Sequence, residues 1–163
     1  MEGMGPETEE PQGSGTKKGS TEMKISARNQ IKGTVKSVKE GAVNAVVVIC
    51  RGNHNGIKAD ITMEAVKELG LEAGKEAYAV IKATNVLFAT EKCPQLSARN
   101  QFEGTIVALT EGAVNGRVTI EDADGVRISG TITNEAIEEL GLVEGGKAVA
   151  IIKATDVLVG VEA

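Results

Sequence analysis

The run IKGTVKSV at residues 31–38 alternates apolar and polar positions, the period of a half-buried strand. Gly41 interrupts it, and VNAVVVIC (43–50) follows as a more continuous apolar run, which predicts a second, more deeply buried strand. RGNHNG (51–56) is a turn cluster, after which Ile57, Ala59 and Ile61 mark a third strand. Thr62 stands where a helix N-cap is expected. Ala65, Val66 and Leu69 form a helical apolar stripe, and Gly70 ends it. EAYAVIK (76–82) and TNVLFA (84–89) predict two further strands.

The same pattern then repeats. Ser26 and Ser97, Gly41 and Gly112, Leu69 and Leu140, and Lys82 and Lys153 each stand 71 residues apart. Residues 26–88 align on 97–159 without an insertion and agree at 32 of 63 positions, so the chain is an internal duplication. A short linker from Thr90 to Gln95, punctuated by Pro94, separates a first unit at 23–90 from a second at 95–163. The order β-β-β-α-β-β predicts a mainly β chain of two tandem OB-like small barrels, each with one short α-helix. Units of about 65 residues bury only a marginal core, so the two are expected to pack on each other or on other subunits. Residues 1–22, rich in Gly, Pro, Ser, Thr and Glu, read as a disordered tail.

Composition narrows the function. Tyr78, Phe88 and Phe102 are the only aromatic residues, so Val, Ile, Leu and Ala must build the core. No apolar run approaches the roughly 20 residues of a bilayer span, and the N-terminal stretch does not read as a signal peptide; no membrane partner is expected. Cys50 and Cys93 make no disulfide framework, which fits a cytoplasmic setting. The tail carries −3 of the net −5, leaving −2 for the rest. Such a body lacks the basic excess that grips a nucleic acid backbone. Any bound anion must therefore be small and held by local charge.

Residues kept in both copies sort the candidates. His54 faces Gly125 and Cys50 faces Glu121, so neither a bare metal cation site nor a shared thiol chemistry is expected. No nucleophile–base set and no P-loop is present, and the chain reads as a binder rather than an enzyme, without a cofactor. Four patches do persist: Ser26-Ala27-Arg28-Asn29-Gln30 with Ser97-Ala98-Arg99-Asn100-Gln101; Glu40-Gly41-Ala42-Val43-Asn44 with Glu111-Gly112-Ala113-Val114-Asn115; Ile61-Thr62 and Glu64-Ala65 with Ile132-Thr133 and Glu135-Ala136; and Ile81-Lys82-Ala83-Thr84 with Ile152-Lys153-Ala154-Thr155. The plain readings are a hairpin turn with Gly41 at positive φ, an N-cap at Thr62, and a snorkelling strand end at Lys82. Together the patches offer fixed cations, hydroxyls and closely approachable backbone amides. Amides at the helix start near Thr62 would add to them. That inventory suits a compact tetrahedral oxyanion.

The paired SARNQ, EGAVN and IKAT motifs resemble the Mop-type domain of the molbindins in its tandem form, over residues 23–161. The resemblance implies OB-like barrels assembled around a threefold axis, a homotrimer for a tandem chain, with molybdate or tungstate bound at subunit interfaces for buffering and storage in the cytoplasm. It implies interface sites from Ser26, Ala27, Arg28, Lys82 and Ala83, with Thr62 from a neighbouring subunit, and their equivalents Ser97, Ala98, Arg99, Lys153, Ala154 and Thr133. A second class near the threefold axis would use Gly41, Ala42, Val43 and Asn44, and Gly112, Ala113, Val114 and Asn115. Many members carry Ser after the helix Glu; Ala65 and Ala136 stand there instead, one hydroxyl fewer.

Two rivals differ in class. A single-strand nucleic acid binder on the same fold needs a positive track and stacking aromatics, neither of which the chain has in quantity. An oxyanion-sensing regulatory module would need a fused DNA-binding or transporter segment, and the short, Gly/Pro-rich tail is not expected to form a helix-turn-helix.

Overall fold

A computed structural model describes residues 24–52 and 56–162. The expected tail at 1–22 and the turn residue His54 lie outside them. Ten strands form two five-stranded sheets. Strands β1 (Asn29–Glu40), β2 (Asn44–Cys50) and β3 (Ile57–Thr62) are followed by helix α1 (Met63–Leu69), then β4 (Glu76–Ile81) and β5 (Leu87–Ala89). The second copy repeats this as β6 (Asn100–Glu111), β7 (Asn115–Glu121), β8 (Arg127–Thr133), α2 (Asn134–Leu140), β9 (Lys147–Ile152) and β10 (Val157–Gly160). The mainly β, twice-repeated architecture is the one the periodicity predicts.

Strand β1 is longer than the alternating run because it serves two partners. Its first half pairs with β4, from Asn29↔Ile81 to Thr34↔Glu76, and its second half with β2. The register shifts between Val35 and Ser37, a bulge that lets one strand bend from one neighbour to the next. At the same crossing a side chain on Gly33 would collide with the Cys50 carbonyl oxygen. The bend therefore requires glycine. The second copy reproduces the bulge between Ile106 and Ala108, with Gly104 against Glu121.

The last strand of each copy departs from the sequence expectation. TNVLFA does not form one strand: Ala83–Asn85 is a 3-10 turn, closed by the Asn85 amide donating to the Lys82 carbonyl at 2.9 Å, and only Leu87–Ala89 is extended. The turn redirects the chain into the other sheet. β5 pairs with β9, and β10 pairs with β4, so the sheet orders are β10-β4-β1-β2-β3 and β5-β9-β6-β7-β8. Each sheet thus takes its final strand from the other copy. β10 also approaches β3, and β5 approaches β8, which curls each sheet towards a barrel. Sheet membership crosses the sequence boundary between the repeats.

The exchange answers the shortage of core. A single apolar cluster runs through both copies, from Val35, Val47 and Ile81 to Ile106, Val118 and Ile152. Tyr78 is 2% exposed, and its hydroxyl donates to Glu162 Oε2 at 3.0 Å. Lys32 lies 3.6 Å from both Glu162 and Glu76, whose charges hold its ammonium above the usual lysine range. These contacts tie Glu162, two residues past the end of β10, back onto the first sheet.

Candidate functional site

The repeated SARNQ phrase divides into two parts with different work. Asn29 and Asn100 are buried, at 4% and 1% exposure. Asn100 accepts from the Lys58 amide through Oδ1 and donates to the Lys58 carbonyl through Nδ2, both at 2.8 Å. Asn29 does the same to Ser129, again at 2.8 Å for each bond. Residues 58 and 129 are themselves 71 positions apart, so the two clamps are reciprocal: each copy locks a strand of the other. An amide side chain is the group that can donate and accept in parallel this way. Gln30 and Gln101 reach back to the carbonyls of Ala27 and Ala98 at 3.4 Å, and Gln101 also bonds both backbone groups of Cys93 in the linker. The Asn and Gln of the phrase are structural.

What remains faces outward. Ser26, Arg28, Lys82, Ser97, Arg99 and Lys153 are all exposed, and Ala27, Ala83, Ala98 and Ala154 are half-buried. Arg28 and Lys82 each stand one residue beyond the last rung of the β1–β4 ladder, Asn29↔Ile81, and Arg99 and Lys153 stand likewise beyond Asn100↔Ile152. The ladder therefore sets an arginine and a lysine side by side at each edge. Ser97, Ala98 and Arg99 also line a groove of about 500 Å³ with Lys58, Lys92 and Gln101, and among the described residues no carboxylate lines it.

Thr62 and Thr133 lie elsewhere in the chain. Each ends its strand four residues beyond the clamped position, roughly 13 Å along at strand rise. Thr62 pairs instead with Asn44, next to the Gly41–Asn44 turn. It is an N-cap: its hydroxyl accepts from the Ala65 amide at 3.1 Å, as Thr133 accepts from Ala136. The helix starts offer fewer amides than expected, because Met63 N–H already donates to Val43 and Asn134 N–H to Val114, both at 2.8 Å. The seven-residue helices act here as braces for the turn.

The turn itself corrects one expectation. Gly41 is not among the positive-φ glycines, nor is Gly112. Both are required by close approach: an added Cβ would meet the Asn44 or Asn115 carbonyl oxygen at 2.8 or 2.9 Å, while the glycine amide donates to that same oxygen at 2.8 Å. Residues 41–44 and 112–115 are exposed throughout, with Val43 at 74% and Val114 at 69%.

Exposed large apolar residues recur beside these segments in both copies. Ile25 and Leu96 precede the two Ser-Ala-Arg runs, Val43 and Val114 sit in the two turns, and Leu87 and Leu158 follow the two Lys-Ala-Thr runs. Sequence reasoning missed Lys58 and Lys92, since neither lies in a repeated patch; only the reciprocal clamp brings Lys58 to Arg99. Among the described residues no group of three or more His, Cys, Asp or Glu is placed to hold a metal ion, and no helix is long and apolar enough to cross a membrane.

Comparison with known proteins adds four findings. The sequence profile of the TOBE domain matches residues 25–88 and again 96–159. The molybdenum transport protein ModE of Azotobacter vinelandii is 37% identical over 142 residues, 87% of this chain and 53% of ModE, so the chain spans about half the length of that relative. The probable molybdenum-pterin-binding protein of Haemophilus influenzae is 56% identical over 69 residues, 42% of this chain and all of that protein. Among solved structures, the cytoplasmic molybdate-binding protein ModG with molybdate bound superposes with a TM-score of 0.81 at 48% identity, covering 85% of this chain and 99% of ModG.

Proposed function

The chain belongs to the TOBE-domain family, whose unit it carries twice, and from that premise we propose that it binds molybdate or tungstate at surfaces shared between copies of itself. The observation that carries the proposal is the pairing of exposed cations with exposed apolar residues at the same places in both copies. Ile25 precedes Arg28 and Leu96 precedes Arg99, while the exchanged strands set Leu158 beside β4, which leads into Lys82, and Leu87 beside β9, which leads into Lys153. Hydrophobic residues that recur in this way beside a polar rim mark an interface. An oxyanion there would gain charge-assisted hydrogen bonds from Arg and Lys.

One chain supplies only part of a shell. Within a chain Thr62 is remote from the arginine–lysine edges, so it would reach such an edge from a neighbouring subunit. Its hydroxyl already accepts from Ala65 and keeps its own hydrogen to donate. The half-sites Ser26, Ala27, Arg28, Lys82 and Ala83, and Ser97, Ala98, Arg99, Lys153 and Ala154, are thus completed by Thr62 and Thr133 in a homotrimer. The Gly41–Asn44 and Gly112–Asn115 turns, each carrying an exposed valine, face the threefold axis and form the second class of site. The sequence units at 23–90 and 95–163 are the two binding modules, each finished by a strand of the other.

The role is reversible buffering and storage of the oxyanion in the cytoplasm, without catalysis, in keeping with the cytoplasmic binding of ModG. Calorimetric titration tests it. Molybdate and tungstate should bind alike, while sulfate should bind far more weakly, because its shorter bonds leave fixed donors unpaired. Equal affinity for sulfate would contradict the storage reading.

A further inference from the structure

The two arginine–lysine edges of one chain are not equivalent, and the difference lies in the residue that each clamp holds. Asn100 fixes Lys58 beside Arg99, and Asn29 fixes Ser129 beside Arg28, with matching bonds of 2.8 Å. Backbone placement is therefore the same at both edges, while side-chain chemistry is not. Lys58 lines the groove with Ser97, Arg99 and Lys92. Ser129 is neutral, and its hydroxyl is joined to that of Thr119 at 2.7 Å, on its own sheet. The Arg99 edge thus gathers Arg99, Lys153 and Lys58, whereas the Arg28 edge has Arg28 and Lys82 with a serine in the third place.

Resting on the oxyanion reading above, we propose that Lys58 is an affinity-setting residue: it makes the Ser97–Arg99 edge the tighter of the two, so that each chain loads oxyanion in two steps. A third ammonium on a flexible stem can approach a dianion without moving the clamped backbone. Its attraction is long-ranged enough to act across the groove and is weakened by salt. Lys92, from the linker, adds to the same field.

The test is calorimetric titration of the full chain with molybdate at low and moderate ionic strength. Arg99→Ala and Arg28→Ala should each weaken one binding class, by roughly ten- to a hundredfold, and so identify the two edges. Lys58→Ser, which gives position 58 the residue of its counterpart, should weaken the Arg99 class by roughly tenfold, the scale of one charge-assisted hydrogen bond, and leave the Arg28 class unchanged. Asn100 bonds only backbone atoms of residue 58, so the fold is kept; a thermal melt checks this. The reverse change, Ser129→Lys, should tighten the Arg28 class. If Lys58→Ser leaves both classes as they were while Arg99→Ala still weakens one, Lys58 has no such role and the oxyanion reading stands. If neither arginine variant alters the titration, the oxyanion reading fails and this inference with it.

Discussion

Phe88 occupies the space that a side chain on Gly130 would need: a Cβ built on Gly130 would come within 2.5 Å of the Phe88 ring and 2.9 Å of Val86 Cβ. The two residues belong to different copies, Phe88 on the exchanged strand β5 and Gly130 on β8. The equivalent positions in the other half hold Val159 and Ala59. A large side chain facing none in one half corresponds to a medium one facing a small one in the other, so the exchanged strands are fitted to their hosts individually.

Gly130→Ala should therefore overpack the second sheet and destabilise the protein by about 1–3 kcal/mol. Adding Phe88→Val should recover much of that loss, because the pair then matches Val159 and Ala59. Denaturant unfolding of both single variants and the double variant measures the coupling. Strictly additive losses would show that the two side chains do not compete for one space.

Much of the fold was legible in the sequence, because strands β1 to β4 and both helices follow from local period and punctuation. Gly70 and Gly141, for example, end their helices in the left-handed region, at φ 63° and 66°. The strand exchange was not legible. Both copies carry nearly the same final strand, and nothing in VLFA or VLVG says which sheet it joins. At the candidate site the repeated residue types were legible, but not which of them turn inward and which outward. SARNQ reads as one polar phrase, yet Asn29 points into the molecule and Arg28 out of it, a distinction that depends on a partner 100 residues away. Lys58 could not be found from the repeat, since its counterpart is a serine.

The clamps should be worth measurable stability. Asn29→Ala or Asn100→Ala leaves an amide and a carbonyl of the other copy without their partner, at about 1–3 kcal/mol for an unmade buried bond. Thermal melts should fall by roughly 2–4 °C for each kcal/mol lost in a chain of this size. Because the clamps are reciprocal, the two variants should behave alike. An unchanged melting temperature would mean that water replaces the amide at no cost.

Charge removal at the edges should act on binding alone. Lys82→Ala or Arg28→Ala should cost about 1.5–3 kcal/mol at one class of site, and Lys153→Ala should do the same at the other. These side chains are exposed, so stability without ligand should stay within about 0.5 kcal/mol. Titration with molybdate beside a ligand-free melt separates the two effects. Undiminished binding in all three variants would reduce these residues to surface charges.

Assembly should depend on the exposed leucines. Leu87 and Leu158 are each 54% exposed on the outer face of the exchanged strands. Leu87→Asp with Leu158→Asp should weaken association between chains without unfolding them, as read by sedimentation velocity beside circular dichroism. An unaltered sedimentation coefficient would place the contact elsewhere.

Native mass spectrometry of the full chain, with and without molybdate, reads the number of chains and the bound anions in one spectrum. Binding at shared surfaces should give an assembly of three chains that retains molybdate, with the anion absent from free single chains and the trimer favoured as molybdate is added. A single chain that carries molybdate as firmly as the assembly does would contradict it.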